Sequence, residues 1–244
     1  SIANKSLYLL KALFKHAVKL DLIRHTLALS FTAMDAGGEE RPKDTYLNEK
    51  QIKQFFELAE AAGTAFSRDN YLATCLLFCT ATRKMEMLGA RWEEFDFEEL
   101  LWTIPAERTK PRREFLVPLT PRVIGWFNEL KIRACGSEYV FPARKQSRVP
   151  HVYHDTLNHA FKNLDLPFAL APHDIRRTTR TLLAKLGVSD QVAEICLNHK
   201  LPKMQHIYNK YSFLPEKREA LLMLSEAFYE CLPSIEKDYE TINR

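Results

Sequence analysis

The 244-residue sequence predicts a mainly α-helical fold of the α+β class, a helical domain carrying one small antiparallel β-sheet. Three observations support this. Apolar residues recur at helical spacing through most of the chain. Only "LLWTIP" and "EFLVPLT", joined by the polar turn "AERTKPRR", have the aromatic and β-branched character of paired strands. The seven glycines form neither GxGxxG nor GxxxxGK, which excludes the phosphate cradles of nucleotide-binding α/β folds.

In chain order, residues 4–20 form an amphipathic helix with Leu7, Leu10, Phe14, Ala17 and Val18 on one face. A short apolar piece follows (27–33). "MDAGGEERPKD" then joins Gly37, Gly38 and Pro42 to a run of charge, the composition of a linker. The first 34 residues are too few for a core of their own. The expected organisation is therefore 1–34 as the tail of a preceding helical domain, 35–45 as linker and 46–244 as the main domain. Because the chain opens on Ser1 within a helical pattern, a longer parent protein is expected.

The main domain opens on a helix that Asn48 caps, with Gln51 at the capping-box position and Gly63 as its stop. Residues 68–80 are almost wholly apolar and predict a buried helix, after which Thr82 is placed to cap a short helix carrying Arg83 and Glu86. Beyond the strands, helices are expected at 121–133, 152–163, 172–186, 190–198, 203–212 and 215–230. Pro172 and Pro215 suit first turns, Gly187 a C-terminal stop and Ser189 an N-cap. Trp92, Trp102 and Trp126 are expected in the core, and His16, His25, His159 and His206 at the surface or in packing roles.

Composition sets the class of partner. Hydrophobic residues at 46% and charged residues at 27% are ordinary globular values. The net charge of +4 is a weak argument for nucleic acid, but its distribution is stronger. "ERTKPRREF" sets four basic residues against two acids, and Arg144, Lys145 and Arg148 have no acid nearby until Asp155. Residues 216–244 are acidic by contrast, with seven acids and four bases. Positive charge gathered mid-chain suits a face that meets phosphates. Five cysteines without a CxxC pair predict free thiols and a reducing, cytoplasmic setting. No apolar run is long enough for a membrane span, so no membrane partner is expected.

The densest chemistry lies in "APHDIRRTTRTLL". His173 and Arg176 are three apart at a helix start and share a face, Arg177 and Arg180 extend the positive charge, and Ile175, Leu182, Leu183 and Leu186 form an apolar stripe. A helix start adds its own attraction for anions. Arg83 follows a buried helix and needs a partner, for which Glu86 is placed three residues on. Lys110 sits at the hairpin tip. In "LNHKLPKMQHIYNKY", His199 precedes two tyrosines, Tyr208 and Tyr211, which helix physics alone leaves equivalent. These residue types suit phosphoryl transfer: arginine forks meet the charge that grows on non-bridging oxygens. A tyrosine of ordinary pKa about 10 needs a base or a cationic surround to attack, and a lysine can protonate a leaving alkoxide. "HVYHD" offers His151, His154 and Asp155 without an evident further ligand, so neither a metal nor another cofactor is expected.

Taken as an ordered set, these residues resemble the tyrosine recombinases, in particular their phage-integrase branch. "ATRKMEMLGARWEEFD" is similar to the segment holding that family's first arginine, here Arg83. "TIPAERTKPRREFLVPL" is similar to the hairpin with its lysine, here Lys110. "HDIRRT" resembles the HxxR box and "LNHK" the third histidine position, with Tyr208 nine residues beyond His199. The resemblance covers roughly 45–230. It departs in "ATR", where a glycine usually stands earlier, and in "LNH" where "LGH" is common.

The resemblance implies a DNA breaking-rejoining fold and a metal- and ATP-independent strand transferase. Tyr208 would be its nucleophile, Arg83 and Arg176 the phosphate ligands, His199 a further hydrogen-bond donor, Lys110 the acid and His173 a proton-transfer group, with Glu86 in support. Expected DNA contacts are Arg112, Arg113, Arg144, Lys145, Arg148, Arg177, Arg180 and Lys200. Expected partners are double-stranded attachment-site DNA, three further copies in a tetramer, and DNA-bending or excisionase accessory proteins, on a bacterial nucleoid. Two alternatives carry different signatures: a DNA-binding regulator of the same fold would lack part of the residue set, and a metal-dependent nuclease would stop with a chelator.

Overall fold

A computed structural model describes residues 1–40, 44–199 and 212–233 and divides the chain into two compact units, Ser1–Asp44 and Thr45–Arg244. In the first unit, helix α1 (Ile2–Lys19) starts where the Ser1 hydroxyl accepts from the Asn4 N–H. Asn4 is buried. Its amide donates to Gly38 O at 2.9 Å and accepts from the Gly37 N–H at 2.8 Å, so the glycine pair folds back onto the helix start. The expected apolar face includes Leu10 and Phe14, and both remain exposed. A unit this small has too little chain to cover them.

In the second unit, α2 (Glu49–Ala61) begins with the reciprocal Asn48–Gln51 capping box, as expected, and turns Ile52, Phe55, Phe56 and Ala59 inward. Helix α3 (Arg68–Thr80) is the central pillar. Every residue from Tyr71 to Thr80 is buried, and the helix packs on α5 (Pro121–Arg133), α7 (Pro172–Lys185) and α9 (Leu214–Glu230). Phe78 stacks on Phe228 of α9 with centroids 4.7 Å apart, and Phe56 meets both Tyr71 and Phe228 edge-on. Apolar burial on all sides explains why this helix shows no amphipathic period.

Helix α3 stops at Ala81, whose φ of +52° turns the chain back toward the site. The short helix α4 (Lys84–Leu88) follows, and here the expected cap is displaced by one residue: Arg83, not Thr82, is the N-cap. Thr82 is occupied with Thr80, hydroxyl to hydroxyl at 2.9 Å, while the Glu86 carboxylate accepts from the Arg83 N–H.

The sheet has three strands in the order β1-β2-β3, all antiparallel: β1 (Phe95–Asp96), β2 (Leu101–Ile104) and β3 (Phe115–Pro118). Trp102 pairs with both Phe95 and Val117, and Ile104 with Phe115. The first strand was not expected, since two residues within an acidic run carry no alternation to detect. The turn between β2 and β3 is also more ordered than its polar composition suggests. It holds a 3₁₀ turn at Ala106–Arg108, and Thr109 is buried with its hydroxyl donating to Arg113 O at 2.7 Å.

Helix α6 (Thr156–Lys162) starts later than expected, and α8 (Asp190–Cys196) ends earlier, followed by a left-handed Asn198 with φ of +49°. The helix expected at 203–212 lies outside the described residues. Trp102 and Trp126 are core residues as expected, and Trp92 is half-buried with Lys131 over its ring.

Candidate active site

Arg83, Lys110, Pro111, His173, Arg176, Asn198 and His199 line one open cleft of about 450 Å³. They come from four places in the chain: the α4 cap, the β2–β3 turn, the first turns of α7 and the bend after α8. Five of the six expected catalytic residues therefore converge. The sixth, Tyr208, lies outside the described residues, as does Lys200.

Arg176 is the more buried of the two cleft arginines. Only 5% exposed, it donates from Nη1 to Ala81 O, the carbonyl presented by the left-handed turn that ends α3. Its Nη2 is buried and has no hydrogen-bond partner among the described residues. A buried, unpaired guanidinium N–H carries a desolvation cost that an anion in the cleft would relieve. Burial first, and then the neighbouring Arg83, push the Arg176 guanidinium down to about 10, leaving it charged at neutral pH.

Arg83 is held from two sides. Its Nη1 donates to Glu86 Oε1 and its backbone N–H to Glu86 Oε2, both at 2.8 Å, and Nη2 reaches Asn198 O at 3.3 Å. Glu86 is 2% exposed, so the carboxylate end of this ion pair is sheltered from solvent. Its carboxylate also offsets the repulsion between Arg83 and Arg176. Behind it, Arg108 bridges the Glu94 carboxylate and Glu86 O, which fastens the lysine-bearing turn to α4.

His173 is solvent-facing at the cleft rim, and burial of part of the ring, then Arg177 and Arg176, lower its pKa. His199 is likewise lowered, by burial first, while Glu194 acts in the opposite direction. Both imidazoles are therefore predominantly neutral at neutral pH in the free protein. Lys110 is exposed at the tip of its turn, where its ammonium group is free to reach into the cleft.

The remaining expected DNA contacts are placed as follows. Arg113 turns inward, Nε to Asn198 Oδ1 at 3.1 Å and Nη2 to His199 O at 3.0 Å, bracing the turn against the α8 bend. Arg177 pairs with Asp174, and Arg180 with Glu194 and Asp190. Arg144 pairs with Asp69 and donates to Arg133 O. Arg112 reaches Glu107 O at 3.1 Å from an exposed position, and Lys145 and Arg148 are exposed. In "HVYHD", His151 Nδ1 faces Val152 O, and His154 pairs with Asp155.

Two residues that sequence reasoning did not single out stand behind the cleft. Glu194 Oε2 sits 2.6 Å from His199 Nδ1. Lys217 on α9 is buried, donates to Leu116 O and lies 4.5 Å from the centre of the Phe115 ring; burial pushes its ammonium down to about 8. A five-residue Glu–His spacing is not a helical pair, and it closes only because Asn198 bends left-handed. A lysine on an amphipathic helix gives no sign in sequence that it is buried.

The phage integrase family model matches residues 45–214, which include every cleft residue named above. Prophage integrase IntA of Escherichia coli (strain K12) is 33% identical over 140 residues, covering 57% of this chain and 34% of IntA. Prophage integrase IntZ of the same organism is 28% identical over 218 residues, covering 88% of this chain and 52% of IntZ. The chain thus spans between a third and about half the length of these relatives. The fold is similar to that of a lambda integrase (75–356) dimer bound to a COC′ core site, with a TM-score of 0.64 at 16% identity over 85% of this chain and 74% of that one. It is also similar to the Tn1549 transposon integrase in complex with circular intermediate DNA, with a TM-score of 0.59 at 19% identity over 88% and 76%. With the family model spanning more than half of its length, the chain belongs to the phage integrase family.

Proposed function

We propose that this chain carries the catalytic part of a site-specific DNA recombinase that cuts and rejoins strands through a phosphotyrosyl intermediate. The observation that carries the proposal is the cleft itself. Two arginines, two histidines and a lysine converge there, and Arg176, which lines it, keeps a buried Nη2 without a partner among the described residues. That donor set fits a phosphodiester better than any neutral ligand.

In this mechanism Arg83 and Arg176 hold the non-bridging oxygens of the scissile phosphate and stabilise the charge they gain during attack. The Tyr208 hydroxyl attacks phosphorus, forming a Tyr–O–P bond to the 3′ side while the P–O5′ bond breaks. Neutral His173 takes up the tyrosine proton, Lys110 delivers a proton to the leaving O5′, and His199, once protonated, donates a hydrogen bond to the phosphate. One phosphate ester replaces another, so the bond energy is retained and no nucleotide is consumed. A 5′-hydroxyl from a partner strand reverses the step. Exchange between two duplexes breaks four strands, one per copy, and so calls for a tetramer on DNA. Strand integration or excision of a mobile element is the corresponding activity, with DNA-bending or excisionase proteins as accessory partners. Cytoplasmic action on chromosomal DNA follows from the same reading, and among the described residues no helix is long and apolar enough to cross a membrane.

The test uses the full gene product and a nicked duplex copied from the ends of the element that encodes it, incubated in EDTA. A protein–DNA adduct stable on a denaturing gel is expected. Free ends without an adduct, formed only when metal is supplied, would assign a nuclease instead.

A further inference from the structure

We infer that Glu194 is a positioning residue for the strand-transfer reaction, holding the His199 ring so that Nε2 is presented to the phosphate. The role rests on the strand-transfer reading of the cleft and extends it to a residue outside the catalytic set.

The geometry is specific. Glu194 Oε2 lies 2.6 Å from His199 Nδ1, and the His199 backbone N–H donates to Glu194 O at 3.0 Å. The same residue therefore fixes both the backbone and the ring of the histidine. The other carboxylate oxygen is not free to compete: Oε1 accepts from Arg180 Nε at 2.8 Å, and Arg180 is itself braced on Asp190 at 2.7 Å. Arg113 Nη2 in turn holds His199 O at 3.0 Å. The bend that turns the ring toward Glu194 is the left-handed Asn198, buried and bonded to Arg113.

A carboxylate accepts only, so the neutral ring facing it carries its proton on Nδ1. That leaves Nε2 as the nitrogen available to the cleft that His199 lines. When a phosphate arrives and Nε2 takes a proton from solvent in the open cleft, the same carboxylate stabilises the imidazolium and the ring becomes a donor at both nitrogens. A partner that sets the tautomer of a working histidine is worth tenfold or more in activity in comparable arrangements. Among the described residues, the charged groups that act on this ring are Glu194 on α8, Arg176 on α7 and Arg83 at the α4 cap, the two arginines opposing the carboxylate.

The test compares wild type, Glu194→Gln, Glu194→Ala and Arg180→Gln, each checked for native thermal unfolding. Nitrogen-15 spectra of the histidine rings, with His199 identified by its loss in His199→Gln, read tautomer and titration midpoint in the free protein. Adduct formation on the nicked duplex reads chemistry, and duplex binding is measured separately. Wild type is expected to show the Nδ1-protonated tautomer. Glu194→Gln is expected to lose that preference, to titrate at lower pH, and to cleave about 10–100-fold more slowly with duplex affinity within about twofold. Arg180→Gln retains the carboxylate and is expected to fall between the two. An unchanged tautomer and midpoint in Glu194→Gln would overturn the inference, as would an altered ring with an unaltered cleavage rate. A wild-type protein that forms no adduct brings down the strand-transfer reading, a failure distinct from either of these.

Discussion

Glu86→Gln separates phosphate binding from phosphate chemistry in one substitution. The wild-type carboxylate is 2% exposed and accepts two hydrogen bonds from Arg83, one at the backbone N–H and one at Nη1, both at 2.8 Å. Glutamine keeps one acceptor oxygen and turns an NH₂ toward the second donor. One hydrogen bond to a charged partner is lost, at about 1.5–3 kcal/mol, and the other weakens to neutral strength. Arg83 is 23% exposed at its side chain, so water recovers part of that loss, and a net destabilisation of about 2–3 kcal/mol is expected in urea unfolding. The cleft meanwhile loses a negative charge, so duplex binding should hold or tighten. Cleavage should fall about 100-fold, because a guanidinium released from its brace contributes less to the transition state, and two decades correspond to about 2.7 kcal/mol. Single-turnover adduct formation and equilibrium duplex binding at one fixed salt concentration measure the two quantities. Cleavage within twofold of wild type, in a protein destabilised as expected, would show that Glu86 only caps α4 and does not orient Arg83.

Arg176→Lys tests the fork at the centre of the cleft. A lysine cannot serve Ala81 O and the phosphate together, so adduct formation should fall at least about 100-fold, with duplex affinity falling less than tenfold; equal losses in both would make Arg176 a binding residue only. Lys217 predicts a stability window. Its folded pKa of about 8 lies below the ordinary 10.5, so the unfolded chain binds the extra proton and stability rises with pH between those values. From pH 8 to 9 the gain from Lys217 is about 1 kcal/mol; Cys196, whose thiol is pushed up to about 11 by burial, acts with the opposite sign and offsets it increasingly as pH rises through 9. Urea unfolding of Lys217→Met should lose this rise; a rise that persists would place its origin in another group.

The parts of the molecule legible in sequence were those governed by local rules. The Asn48–Gln51 box, the buried α3, the two longer strands and the HxxR turn depend on spacing along one element, and each formed where expected. The illegible parts depend on a second element. Thr82 had the right chemistry for a cap, but Thr80 engages its hydroxyl and the cap passes to Arg83. Arg113, Arg144, Arg177 and Arg180 count as surface charge in a sequence, yet each finds an acid or a carbonyl brought to it by the fold. Strand β1 is two residues long and exists through pairing with β2. Glu194 needed the left-handed Asn198 to reach His199. Family resemblance named the hexad, while the structure supplied the braces behind it, such as Arg108 across Glu94 and Glu86 O.

The central claim is that this cleft aligns a phosphodiester for attack by Tyr208 and not by Tyr211, three residues later in the same segment. The most direct measurement is to trap the covalent adduct in EDTA with the full gene product, digest it, and identify the DNA-linked peptide by mass spectrometry, alongside Tyr208→Phe and Tyr211→Phe. The nucleotide should be found on Tyr208, with no adduct from Tyr208→Phe, intact duplex binding in that variant, and an adduct retained by Tyr211→Phe. Linkage through Tyr211, or continued adduct formation by Tyr208→Phe, would contradict the account.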